Sequence, residues 1–319
     1  MDFYGHDNNN SFTGIPSGFA MLDRITHGWQ PSDLHIVAGV HSVGCTSLAV
    51  SAMLNAARHF RKKVVLFSLQ TSRKKILAKL VCAAVGVEFG PLTNGRLNEQ
   101  ERARIEEFRQ EWKEQLAPLI HIIDTPGLTI KELVTTATQL REEGAELFFV
   151  DTIQRIRIGK KMRTYCANRE QEIAYLTRQL KTLALDTEAP VVAVAELSKA
   201  VNDRGGDRKP QLTDLRDSNV LVNEADAVLL LYRAELHNIW EDEMGNPTQG
   251  IAEINLAKSR FTSRETIQLH FAARYGHFED MQTDWYDTPE LSGNATTAFP
   301  ASSSHEGKNQ GTISGDPPF

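Results

Sequence analysis

Residues 34–279 specify an α/β fold, a mostly parallel twisted sheet flanked by helices and finished by an antiparallel C-terminal hairpin. Along this stretch apolar runs alternate with segments of helical period, the pattern of strands joined by crossover helices. The runs are apolar throughout, which places a helix layer on both faces of the sheet. After Gly250 the period changes to two, as in antiparallel strands with one wet face.

The elements follow in order. Strands are expected at LHIVAG (34–39), KVVLFSL (63–69), LIHIID (119–124), ELFFVD (146–151), PVVAVAE (190–196) and DAVLLLY (226–232), all short and dominated by large apolar residues. Helices are expected at 46–60, 72–85, 98–115, 129–143 and 168–187; in the last, Ile173, Leu176, Leu180 and Leu183 recur at helical spacing. AEINLAK and ETIQLHF form the hairpin at the sheet edge. The expected organisation is a disordered N-terminus (1–12), one domain (13–284) and a disordered tail (285–319) rich in Ser, Thr, Gly, Pro and Asn. No internal repeat is visible.

The chain has 319 residues and a formal charge of −6, enough length for a full core and too little positive charge for a wholly basic nucleic-acid wrapper. Affinity for phosphates must come from local patches. Two exist: Arg58 to Lys63, and RIRIGKKMR from Arg155 to Arg163, whose five cations are Arg155, Arg157, Lys160, Lys161 and Arg163. Cys45, Cys82 and Cys166 lack metal-ligand spacing, which fits a reduced compartment. The first residues do not follow a signal-peptide pattern, and no apolar run is long enough for a bilayer. A cytoplasmic location and no membrane partner are expected.

GVHSVGCTS, from Gly39 to Ser47, joins the first strand to a helix. Gly39, Ser42 and Gly44 lie in a loop whose backbone N–H groups can point at phosphates, at a helix N-terminus that favours an anion. Thr46 places a hydroxyl for Mg2+. A tight glycine turn with no ligand is the competing reading of this stretch alone. Cys45 stands where a phosphate loop needs lysine.

FTGIPSGFAMLDRITHGWQPSDLHIVAG, FSLQTS, DTPGLTIKEL, FFVDTIQRI, NREQEIAYLTRQLKTLA, RKPQLTDLRDSN, EADAVLLLYR and GIAEINLAKSR follow one another. In that order they closely resemble the C-terminal motor domain of the DnaB-type replicative helicases. The resemblance spans about Thr13 to Asp280 and implies a RecA-like P-loop ATPase fold, ATP with Mg2+ as cofactors, and hexameric rings on single-stranded DNA. The family's N-terminal collar domain and linker helix find no counterpart in this sequence.

Set against the family's pattern, three positions depart. Cys45 replaces the lysine, and a neutral thiol neither neutralises phosphate charge nor donates a charge-assisted hydrogen bond. Gln70 replaces the glutamate that activates water, and an amide has no useful basicity at neutral pH. Glu196 replaces the usual glutamine near the γ-phosphate and repels it, unless it serves as a displaced catalytic carboxylate. Other positions are kept. Asp151 would orient Mg2+, and Lys258 with Arg260 would reach the γ-phosphate of a neighbouring subunit.

On the DNA side, the resemblance implies that Arg216, Asp217 and Asn219 match the loop that contacts the DNA backbone, with Asn219 in place of a glycine, and that the 155–163 patch lies on a segment facing the ring's central channel, a solvated loop being the competing reading. The ending SGDPPF resembles the tip of bacterial single-stranded-DNA-binding proteins, so Phe319 is a candidate for docking into a partner's apolar pocket. Three functions follow from the resemblance: a ring subunit, alone or with an authentic DnaB-type helicase, that hydrolyses ATP poorly; an active helicase with a rearranged site; and a non-catalytic module that regulates a replicative helicase.

Overall fold

Residues 12–198, 200–215 and 219–281 are described by the structure, a computed structural model. The expected tail with Phe319, the loop residues Arg216 and Asp217, and the side chain of Asn219 lie outside the described residues.

Helices are α1 (Ala20–Thr26), α2 (Cys45–Arg58), α3 (Arg73–Val85), α4 (Phe89–Asn94), α5 (Glu99–Glu111), α6 (Ile130–Glu142), α7 (Lys160–Arg163), α8 (Arg169–Thr187), α9 (Ala200–Asp203) and α10 (Asn219–Glu224). Strands are β1 (Leu34–Gly39), β2 (Val64–Ser68), β3 (Ile120–Ile123), β4 (Leu147–Asp151), β5 (Val191–Glu196), β6 (Ala227–Tyr232), β7 (Ile251–Ser259), β8 (Thr266–Ala272) and β9 (His277–Asp280). They form one sheet in the order β3-β2-β4-β5-β1-β6-β7-β8-β9, parallel through β6 and antiparallel beyond it.

Every residue of β1, β2, β4 and β6 is buried. Their side chains divide between two cores: Val37, Leu66 and Phe149 pack with α2, α3 and α5, while Ile36, Phe67 and Phe148 pack with α6 and α8. Each such Phe, Leu or Ile contributes roughly 1.5–3 kcal/mol through burial. β7 and β8 keep the alternation of a half-buried pair.

Helix starts are set by local chemistry. Asn98 Oδ1 accepts from the Glu101 N–H at 2.8 Å while Glu101 Oε2 accepts from the Asn98 N–H at 2.8 Å, and Thr129 with Glu132 repeats this reciprocal cap for α6. The expected helix 98–115 stops being regular at Glu111, and Trp112–Leu116 is a π turn that lets Leu116 reach the core. β9 and α1 are too short for a periodic signal, yet they meet. Asp280 at the end of β9 accepts the Ala20 N–H at 2.9 Å, at the start of α1.

Asp280 also has its other carboxylate oxygen buried and unpaired. Burial pushes its carboxyl up to about 6 despite the backbone donors. The folded state therefore binds this proton more tightly than the unfolded chain, and stability falls as pH rises through the window from about 4 to 6. Asp280→Asn keeps an acceptor for Ala20 without the charge. It is expected to unfold at a higher temperature than the native chain at pH 8 and at nearly the same temperature at pH 4. Thermal melts at the two pH values test this, and an equal shift at both refutes it.

Candidate nucleotide site and nucleic-acid face

Register brings Gly39 opposite Glu196 and Ser68 opposite Asp151. The C-terminal ends of β1, β2, β4 and β5 thus converge where open α/β sheets hold ligands. The loop from Gly39 to Thr46 turns β1 into α2, and two glycines shape it. A Cβ on Gly39 would lie 2.4 Å from Val43 and 2.9 Å from the Cys45 sulfur; one on Gly44, at φ 118, would lie 3.0 Å from the Phe278 ring. Ser42 is held at φ 67, a left-handed backbone that costs a non-glycine residue about 1–3 kcal/mol. With no acidic residue in the first turn of α2, the positive end of that helix is left for an anion.

The thiol of Cys45 folds back under the loop against Gly39. Burial pushes it up to about 12, with the Asp151 and Glu196 carboxylates adding to the rise. Helix N-termini ordinarily lower a thiol pKa, but here desolvation and two negative charges outweigh that field. The thiol therefore stays protonated at pH 8, and iodoacetamide should label Cys45 at least about 10²-fold more slowly than a free thiol. Peptide mapping after timed labelling checks this; labelling at the rate of glutathione would show an open, differently charged loop.

Thr46 Oγ1 donates to Asp151 Oδ2 at 2.9 Å. Burial raises the Asp151 carboxyl pKa, and the hydrogen bonds from Thr46 and Thr152 pull it back, as does the charge of Lys79. A hydroxyl beside a carboxylate is a hard oxygen pair suited to Mg2+. Among the described residues no three His, Cys, Asp or Glu side chains are grouped to hold a metal. Glu196 ends β5, and its backbone is clamped by Gln154: the amide N–H donates to the peptide oxygen at 3.3 Å and the amide oxygen accepts from the peptide N–H at 3.2 Å. Gln70 lies exposed in the turn between β2 and α3.

Lys258 and Arg260 are elsewhere. Lys258 pairs with Val228 at the start of β6, the opposite end of the parallel strands from the phosphate loop. Its ammonium donates to the carbonyls of Val222, Asn223 and Ala225 at 2.6, 3.1 and 2.6 Å, closing the end of α10. Burial, then Arg260, lowers its pKa. Arg260 pairs with Asp226 at 3.1 Å and donates to the Asn223 carbonyl at 3.2 Å. Within one chain, neither cation meets the loop of Gly39 to Thr46.

The five cations from Arg155 to Arg163 are all exposed, on the segment that leaves β4 just after Asp151. Arg157 is anchored at its base, since its backbone N–H donates to Leu128 at 3.0 Å and its carbonyl accepts from Ile130 at 2.8 Å. Tyr165, 71% exposed, follows them. A ring face beside clustered cations suits stacking on unpaired bases. Sequence reasoning passed over Tyr165, Gln154 and Lys79; the only signal for Tyr165 was an aromatic next to the basic run.

Comparison with known proteins accords with this geometry. The profile of the family described as the DnaB-like helicase C-terminal domain matches residues 14–280. The replicative DNA helicase DnaB of Geobacillus stearothermophilus is 32% identical over 278 residues, covering 87% of this chain and 59% of that protein; the replicative DNA helicase DnaC of Bacillus subtilis is 31% identical over 283 residues, with 88% and 60% covered. The chain therefore spans about 60% of the length of these relatives. Among solved structures, a DnaB-like replicative helicase determined with its interactions with primase superposes with a TM-score of 0.78 at 25% identity, over 88% of this chain and 64% of that one. A separate ATPase domain gives 0.77 at 26% identity, over 87% and 94%. From strand order to the match over residues 14–280, the chain belongs to the family of DnaB-like helicase C-terminal domains.

Proposed function

We propose that this chain is a DnaB-like replicative motor-domain protein that acts on single-stranded DNA in a ring and turns over ATP poorly. The observation that carries this reading is the phosphate loop itself. It keeps its glycines and the Thr46–Asp151 pair at 2.9 Å, yet Cys45, with its thiol pushed up to about 12, occupies the position where a cation is needed. Asp151 and Glu196 contribute negative charge to the same place. Thr46 and Asp151 would hold Mg2+ against a bound ATP, the metal there supplying charge neutralisation for phosphoryl transfer. Gln70 can orient a water but not deprotonate it. Binding is thus supported better than hydrolysis.

Lys258 and Arg260, held at the far end of the sheet, suit a neighbour's site rather than their own. The neighbour would be a second copy or an authentic DnaB-type helicase. The exposed 155–163 cations would meet DNA phosphates, a salt-dependent contact without sequence preference. The rearranged-site alternative would fall to Lys79 on α3, whose charge helps hold down the Asp151 carboxyl pKa.

The test is ATP hydrolysis by the purified chain with and without single-stranded DNA, alongside Cys45→Lys/Gln70→Glu. Turnover by the native chain above that of the double variant, abolished in Lys258→Ala, would refute the impaired reading; loss in Lys79→Ala would assign the work to the rearranged site.

A further inference from the structure

Away from the nucleotide site, the loop from Ala234 to Gly250 and the outer strands β7 to β9 enclose a groove of about 860 Å3. Its composition is unusual in two respects. Met21, Met244 and Met281 line it and are 37, 89 and 48% exposed. Leu236 and Trp240, also exposed, lie on the loop that forms its wall. Among the described residues nine large apolar side chains are exposed; three of them line the groove and two more sit on its loop. Such concentration marks an interaction surface rather than scattered surface apolarity.

The rim is acidic. Glu241, Asp242 and Glu243 stand on one side, with Asp207 and Glu253 around the rest. The single lysine in the lining, Lys209, is already paired with Glu253 at 2.7 Å. A fixed turn presents the first three: the Asp242 carboxylate accepts from the Met244 and Asn246 backbone N–H groups at 2.9 and 2.8 Å. Met244 is therefore held out at a defined position.

We infer that this groove docks a basic amphipathic helix of a partner protein. Methionines are flexible and polarisable, so they mould to the apolar face of such a helix, and the acidic rim matches lysines or arginines on its flanks. Nucleic acid and anionic membranes are repelled by the same rim. So is the chain's own segment after Met281: residues 282–319 carry Asp284, Asp287, Glu290, Glu306 and Asp316 against Lys308 alone.

The experiment uses the full chain with 13C-labelled methionine methyl groups, titrated with a heptad-patterned leucine–lysine peptide and, separately, with its leucine–glutamate counterpart. The expected result is that the Met21, Met244 and Met281 signals move and saturate with the basic peptide only, while buried Met53 in α2 stays fixed. Exchanging two of the exposed rim residues, Glu241→Lys/Glu243→Lys, should weaken binding by about tenfold or more, and salt should weaken the native complex in the same direction. Four results would overturn the inference: signals that do not move, equal response to the acidic peptide, shifts that depend on protein concentration alone and so report a second copy, or shifts on deleting residues 282–319 that report the chain's own tail.

Discussion

Cys45→Lys/Gln70→Glu should hydrolyse ATP at least about 10²-fold faster than the native chain in the presence of single-stranded DNA. The magnitude follows from what each side chain would supply. A general base is worth about 10²–10⁴; a preorganised charge on the transferring phosphoryl group is worth about 10²–10³. These groups act as a unit, so the two gains overlap and each single variant should recover far less than the pair. A hundredfold gain corresponds to about 2.7 kcal/mol of transition-state stabilisation. Cys45→Lys alone should still tighten nucleotide binding, because the loop that now carries Cys45 beside Asp151 and Glu196 gains a cation. A steady-state assay with a fluorescent-nucleotide titration separates the two effects. Equal turnover in native and double variant would mean that the frame around the loop has departed from a motor along with its chemistry.

The second large effect concerns stability. Asp226, with 4% of its side chain exposed, gathers three partners: Oδ2 accepts from the Leu34 N–H at 2.8 Å and from the Lys181 ammonium at 2.6 Å, and the other oxygen faces Arg260 at 3.1 Å. Its own backbone N–H donates to the Leu34 carbonyl at 2.9 Å. The residue ties the starts of β1 and β6 to α8 and orients one of the two far-end cations. Nearby Asp33 is pushed up to about 6, by burial first and by the charge of Asp226 second. Asp226→Ala leaves the part-buried Lys181 without its closest counterion and Leu34 without its acceptor, and breaking such a pair costs up to about 3–5 kcal/mol. For a domain of this size that lowers the melting temperature by roughly 6–20 °C. Asp226→Asn, which keeps an acceptor for Leu34, should fall between. Thermal unfolding followed by circular dichroism measures both, and a loss under about 1 kcal/mol for the alanine variant would show that solvent reaches the cluster and screens it.

Much of this architecture was legible in the residues. The run LHIVAG announced β1 to the residue, because continuous apolarity between a turn and a glycine loop has few other structural meanings. The alternation in AEINLAK and ETIQLHF likewise placed β7 and β8. Period and propensity carry no signal for pieces held by distant contacts, and these account for what was missed. α1 and β9 owe their place to each other, and the π turn after α5 exists because Leu116 must reach a core. The site shows the same division. Gly39, Gly44, Thr46 and Asp151 could be named from spacing and resemblance, whereas the direction of the Cys45 thiol depends on packing against Gly39. The internal partners of Lys258, carbonyls more than thirty positions away, could not be read from the chain.

The contact of Phe278 with Gly44, and of Asp280 with the first residue of α1, has a temporal side. Ala20 and Asp280 are 260 positions apart, so during translation at about 5–20 residues per second the earlier partner waits roughly 13–52 s for the later one to be made. Over that interval the segment around Gly44 has emerged without the aromatic ring that backs it. The part of the chain synthesised early is among the last to acquire its final shape, and a nascent chain arrested before Phe278 would present an unbraced loop.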